Sequence, residues 1–195
     1  MHGLINRSLQ CFLRDNYGQA TWSEVARGAC LTVDSFEAML TYDPALTDAV
    51  IDAAAGHLDH PRETVLEDLG TYLVSHPNVE ALRRLLRFGG VTFVDFLHSL
   101  EDLPGRGRMA VPDLDLPILT LIEESGSKFL LHCRAPIKGG GYVMLGLLRA
   151  MADDYGALVM LEHTGSQDSV ESISILILEQ SFASGRRFDL ASRKG

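Results

Sequence analysis

Residues 118–134 read ILTLIEESGSKFLLHCR. Ile118 to Glu123 and Lys128 to Arg134 are rich in β-forming side chains, and Glu124-Ser125-Gly126-Ser127 between them has the composition of a hairpin turn. A strand pair at this point settles the character of the C-terminal half. Beyond it, Tyr142 to Tyr155 returns to helical spacing and is stopped by Gly156. Two more strands are expected at Ala157 to His163 and Glu171 to Ser181, with the polar stretch Thr164 to Val170 as a turn-like connection. Upstream the chain reads as helices. Ile5, Leu9, Phe12 and Leu13 recur at three-to-four spacing, Tyr17-Gly18 supplies a stop, and Thr21-Trp22-Ser23-Glu24 has the form of a capping box that starts a new helix. Further helical patterns cover Thr47 to His57, Pro61 to Ser75 and Val79 to Phe88. A last one runs from Thr92 to Leu103, where Phe93, Phe96, Leu97, Leu100 and Leu103 form an apolar stripe that Pro104-Gly105 is expected to end. Helices over about 1–104, followed by a meandering sheet with one inserted helix over about 105–184, is an α+β plan.

The composition fits one soluble domain. The chain has 195 residues, 46% hydrophobic and 22% charged, with a net charge of -9. A chain this long buries roughly two thirds of its unfolded surface, so it needs no disulfide or metal staple. Cys11, Cys30 and Cys133 are too few and too scattered for a disulfide framework or a zinc knuckle. No apolar run approaches the roughly 18 residues of a membrane span, and Met1 to Asn6 lacks the features of a signal peptide. A cytoplasmic protein with no membrane partner is therefore expected. The acidic balance excludes nucleic acid, whose phosphates require a basic face. The tail from Gly185 to Gly195 sets Arg186, Arg187, Arg193 and Lys194 against Asp189 alone, and is expected to be a disordered basic appendage to a domain spanning 1–184.

Several local strings, in this order, are similar to the H-NOX family, the heme nitric oxide/oxygen binding domains that also form the sensor of soluble guanylate cyclase. These are Met1-x-Gly3-Leu4-Ile5-Asn6 with Tyr17-Gly18 and Trp22, Asp95-Phe96-Leu97-x-x-Leu100-x-x-Leu103, Pro112 and Pro117, and Leu131-His132 with Gly139 and Gly146. The resemblance covers residues 1 to about 180. It implies about seven helices packed on a four-stranded antiparallel sheet, with heme as the family cofactor. Family members that stand alone typically contact a histidine kinase or a cyclic-dinucleotide enzyme, so a protein partner of that kind is implied.

The residues that carry heme chemistry do not match. The family binds iron through a histidine on the helix at Phe96-Leu97 and holds the propionates with a Tyr-x-Ser-x-Arg string. The ungapped match places Pro104 at the ligand position and Cys133, Ala135 and Ile137 at the three clamp positions. Proline cannot bind iron, and the planar fork that pairs bidentately with a carboxylate is lost with the arginine. No cofactor is therefore expected. The family's distal wall maps to Ile5, Leu73 and Val143, with Phe96 on the same lining and Pro117 where the family presses on the porphyrin. Without heme these residues are core. His98 is the first candidate for a substitute ligand, although six residues turn a helix by roughly 240° and aim it away from the Pro104 side. His132 is the second. It neighbours Cys133, but adjacent strand residues point to opposite faces, so no shared metal site is expected. Two alternatives stay open: a heme-dependent nitric oxide sensor with a non-standard ligand such as His98, and a binding protein for another apolar or tetrapyrrole ligand.

Enzyme signatures are absent from the sequence. Gly139-Gly140-Gly141 lacks the phosphate-loop context and reads as a flexible connection. Ser125 and Ser127 have no nucleophile elbow around them, and Glu123-Glu124 and Asp153-Asp154 are expected to be solvated neighbours rather than catalytic pairs.

Overall fold

The computed structural model describes residues 1–33, 35–183 and 185. The expected disordered tail, apart from Gly185, lies outside the described residues. Helix α1 spans Gly3–Gly28 as one element with a kink at Gly18 (φ 89°, ψ 166°), a backbone region only glycine enters freely. The stop expected there is a bend, because one residue leaves the helical region and the chain resumes at once. The capping box expected at Thr21 is not formed. The Thr21 hydroxyl donates to the Tyr17 carbonyl at 2.9 Å, and Glu24 pairs with Arg27 at 2.7 Å.

Helix α2, Pro44–Leu58, starts three residues earlier than expected, since Asp43 accepts from the Ala45 N–H at 2.9 Å and Pro44 fits the first turn. Helix α3 spans Arg62–Ser75, and α4 spans Glu80–Arg87 after a 3-10 turn at Pro77–Val79. Helix α5 is Phe93–Ser99, opened by a formed capping box. The Asp95 N–H donates to Thr92 Oγ1 at 3.1 Å, and the Thr92 N–H donates to the Asp95 carboxylate at 2.9 Å. A 3-10 turn at Leu100–Asp102 leads into α6, Leu103–Ala110.

Strands β1 (Ile118–Ser125) and β2 (Lys128–Arg134) form the expected hairpin. Helix α7 (Gly140–Tyr155) crosses to β3 (Leu158–Gln167), which turns directly into β4 (Val170–Glu179). All pairings are antiparallel, in the order β1-β2-β4-β3. The loop expected at Thr164 to Val170 is instead mostly strand. Its hydrophobic alternation is lost because these residues are mostly exposed, while Ser166↔Glu171 and Gln167↔Val170 still pair around a turn with Asp168 and Ser169 at positive φ.

The apolar side chains divide between two clusters. One joins α1, α2 and α3 through Leu9, Phe12, Trp22, Ile51, Leu66 and Tyr72. The other joins α4, α5 and α7 to the inner face of the sheet through Leu86, Phe96, Leu148, Phe129, Leu131 and Ile175. Residues 82–103 thus share their core with the sheet, and the cores meet along α3 rather than at residue 104. The join is a backbone contact. A methyl group on Gly70 of α3 would overlap the carbonyl oxygen of Val143, and one on Gly146 of α7 would overlap that of Glu67. Glu67 and Arg149 form an ion pair across the same crossing.

A backbone oxygen cannot swing aside as a side-chain tip can, so Gly146→Ala should lower the stability to urea by about 3 kcal/mol. Gly56→Ala is the control: it lies inside α2 with open space around it and should raise stability by roughly 0.5–1 kcal/mol.

Candidate functional site

Pro104 lies half-buried in the first turn of α6. The expectation that it ends a helix is thereby corrected. A proline at the start of a helix gives up no internal hydrogen bond, so it opens α6 after the 3-10 turn has closed α5. Arg106 then ties α6 down, donating to the Leu85 carbonyl at 3.2 Å and the Ser99 carbonyl at 3.0 Å.

Phe96 is fully buried against Phe93 and Tyr155. His98 leaves the same helix toward the sheet edge, with half of its side chain in solvent. Its Nε2 is 3.7 Å from Glu123, and its ring lies edge-on to Phe129. The residues expected to line one wall come from α1, α3, α5, α7 and the segment before β1. Leu73 and Val143 are half-buried against the helical core, whereas Phe96 belongs to the sheet core. Ile5 is half-buried in the first turns of α1, and Pro117 is half-buried immediately before β1.

The remaining three positions lie at the end of β2. Cys133 faces inward with no exposure, and burial, with the charge of Glu171 behind it, pushes its thiol up to about 12. His132 faces the other side, 2.9 Å from Ser172 Oγ. Ala135 packs toward the sheet core and Ile137 toward the helical core. Both line a cleft of about 620 Å³ between the N-terminal ends of α3 and α7, shared with Arg62, Glu63, Leu66, Tyr142, His163 and Glu171. The glycine run that reads as a flexible connection is a tight turn. Gly139 has φ 82°, a side chain on Gly140 would overlap Ala135, and one on Gly141 would overlap Glu171.

Within the cleft the Gly141 N–H donates to Glu171 Oε2 at 2.5 Å. Glu171 Oε1 stands 3.4 Å from His163 Nε2, and the His163 ring stacks on Tyr142 with centroids 4.2 Å apart. Arg62 at the rim forms ion pairs with Asp48 and Asp52, each at 2.5 Å. Neither His163 nor Glu171 was singled out from the sequence. Their signal is a polar residue on the inward register of a strand: 163 continues 159 and 161, and 171 precedes 173, 175 and 177. Among the described residues no group of three or more His, Cys, Asp or Glu is placed to hold a metal ion, and no helix is long and apolar enough to cross a membrane.

An N-terminal set of helices joined to an antiparallel sheet by an inserted helix is the H-NOX architecture. An H-NOX protein of S. oneidensis, solved in the Fe(II) ligation state as a mutant, superimposes with a TM-score of 0.78 at 16% identity, covering 92% of this chain and 97% of that one. The Fe(II) unliganded H-NOX protein of K. algicida gives 0.76 at 16% identity, covering 94% and 100%. The family model described as Haem-NO-binding matches residues 2–163. The chain belongs to this family of gas-sensing, signalling-type domains. Soluble guanylate cyclase gcy-31 of Caenorhabditis elegans is 27% identical over 154 residues, 79% of this chain and 22% of that one. Soluble guanylate cyclase 89Db of Drosophila melanogaster is 21% identical over 160 residues, 82% and 24%. The chain thus spans less than a quarter of the length of these cyclases.

Heme is the group this fold family implies, and the side chains at the positions given by the resemblance do not fit it. Pro104 has no imidazole, Ala135 and Ile137 offer no donor to a carboxylate, and the Cys133 thiol is sealed in the core in its protonated form.

The Cys133 thiol also makes stability depend on pH. Unfolded it ionises near its ordinary value of 9.0, and folded only near 12. Its contribution is therefore complete below pH 9 and is lost as pH rises from 9 toward 12, on the order of 1 kcal/mol per pH unit. Urea unfolding of wild type and Cys133→Ala across this range should show the wild-type advantage shrinking with pH.

Proposed function

We propose that this chain is a regulatory module of the H-NOX fold that works without heme and acts through a protein partner. The observation that carries this reading is Pro104. It stands at the position that the resemblance gives to the iron-ligating histidine, and there it opens α6. The clamp positions support the same reading, since Cys133 is buried and Ala135 and Ile137 are apolar. Residues 1–184 act as one unit, held together by the crossing of α3 and α7. The unit is a sensor or adaptor rather than a catalyst. Its partner is a histidine kinase or a cyclic-dinucleotide enzyme, by analogy with family members that stand alone, and the cyclase relatives add a second route in which the module is joined to its effector. A cytoplasmic location belongs to the same proposal, supported by three free cysteines. With no iron bond to make or break, α5 and α6 keep one arrangement and present a constant surface, so any regulation has to enter elsewhere.

The test is the absorption spectrum of protein expressed with ample heme. The expected result is no Soret band and far less than one heme per chain. A Soret band near one heme per chain that disappears in His98→Ala would overturn this reading in favour of a nitric oxide sensor with a substitute ligand. If it survived that change, His132 would be the next residue to replace.

A further inference from the structure

The cleft of about 620 Å³ has the size of a site for a small organic molecule. Leu66, Pro136 and Ile137 supply an apolar wall. Its polar end is the pair His163 and Glu171, whose side chains are 11% and 13% exposed. A carboxylate this deep is stable only when its oxygens are satisfied. Oε2 is satisfied by the Gly141 N–H. Oε1 faces His163 Nε2 at 3.4 Å, and that nitrogen is buried without a hydrogen-bond partner. The protein itself therefore satisfies only part of this pair.

The sign of the local charge decides what would complete it. The N-terminal ends of α3 and α7 each bring about half a positive charge to the cleft, and each is met by a full negative one, Glu63 on α3 and Glu171 at α7. Arg62 pairs with Asp48 and Asp52 through its two Nη atoms, which neutralises its charge although its Nε has no partner, and Lys138, also on the lining, is exposed. The first amides of α7 are already used. Those of Gly140 and Tyr142 donate to the carbonyls of Ile137 and Gly139, and that of Gly141 to Glu171. An incoming carboxylate would find no free amide there and would face Glu171. Burial, followed by the charges of Glu63 and Glu171, pushes the Tyr142 hydroxyl above its ordinary range.

We propose that this cleft is a binding site for a small organic cation, an amine or guanidinium on a compact apolar body, and that Glu171 closes the same cleft to carboxylates. The charged head meets Glu171 Oε1, with Glu63 at the mouth, and the body lies on Leu66, Pro136 and Ile137. The proposal rests on the heme-free reading, because Ala135 and Ile137, the clamp positions of the resemblance, line this cleft, and the two are tested apart: the Soret band reads heme and amine titration reads occupancy of the cleft.

The test titrates benzylamine, benzyl alcohol and benzoate while NMR follows residues 135–142, 163 and 171. Benzylamine alone should give saturable shifts. Its Kd should rise by about tenfold or more in Glu171→Gln, which keeps an acceptor for the Gly141 N–H. Binding should be lost in Ile137→Arg, whose guanidinium would pair with Glu171 from within the protein and leaves the Glu171 contact with α7 in place. Urea unfolding identifies which variants are folded. Benzoate or benzyl alcohol binding as tightly as benzylamine, amine binding unchanged in either folded variant, or no saturable shift with the amine at millimolar concentration would each overturn the proposal.

Discussion

The contact on which the rest of this structure depends is the glycine-lined crossing of α3 and α7. Gly70 and Gly146 bring backbone against backbone, and no side chain larger than hydrogen fits at either point. The Thr71 hydroxyl sits within the same seam, 3.2 Å from the Glu67 carbonyl and 3.4 Å from that of Gly146. Helix α3 belongs mainly to the helical core and α7 mainly to the sheet core, so this seam holds two separately packed clusters at one distance. It also sets the mouth of the cleft, because the N-terminal ends of the same two helices form its sides.

Helix α7 is fixed at its ends as well as its middle. At its start Glu171 accepts the Gly141 N–H and places a negative charge on the positive end of the helix dipole. Near its end Asp154, expected to be solvated beside Asp153, is instead buried, which would be unfavourable for a carboxylate close to the negative end. Arg83 reverses the sign there, with Nε and Nη2 each 2.8 Å from the Asp154 oxygens, and so pins α4 to α7. Tyr155 extends the anchor by taking Arg87 over its ring at 3.8 Å and donating to the Gly90 carbonyl at 3.1 Å.

Most of the fold was legible because hydrophobic period and turn chemistry agree over long stretches. The Gly126 hairpin, the Thr92 start of α5 and the Gly156 stop of α7 are local signals that nothing distant overrides. The misread points are those where one residue type permits two outcomes. Gly18 can end a helix or bend it, and the packing of Phe12 and Trp22 in one core favours the bend. Pro104 can stop one helix or open the next, and the 3-10 turn at Leu100–Asp102 decides for the second. The strand from Thr164 to Gln167 left no apolar trace because its side chains are mostly exposed. Of the residues that line the cleft, Ala135 and Ile137 were singled out through the resemblance. His163 and Glu171 were not, since they come together from different strands and each alone looks like an ordinary polar residue.

The residues at the positions that the resemblance gives to the ligand and the clamp make physical sense as a set. Removing an iron ligand while keeping an arginine at the clamp would leave a cation beside the apolar Leu66 and Ile137 region with no carboxylate to pair with, a costly burial. In this chain neither a histidine nor an arginine stands at the positions given by the resemblance, and Glu171 supplies a negative charge to the cleft. Glu171 is held by the amide of Gly141 and neighboured by His163, with Tyr142 stacked behind. The α7 N-terminus, which favours an anion in any protein, thus receives one from β4 of the same chain, and the second oxygen of that carboxylate lies against His163.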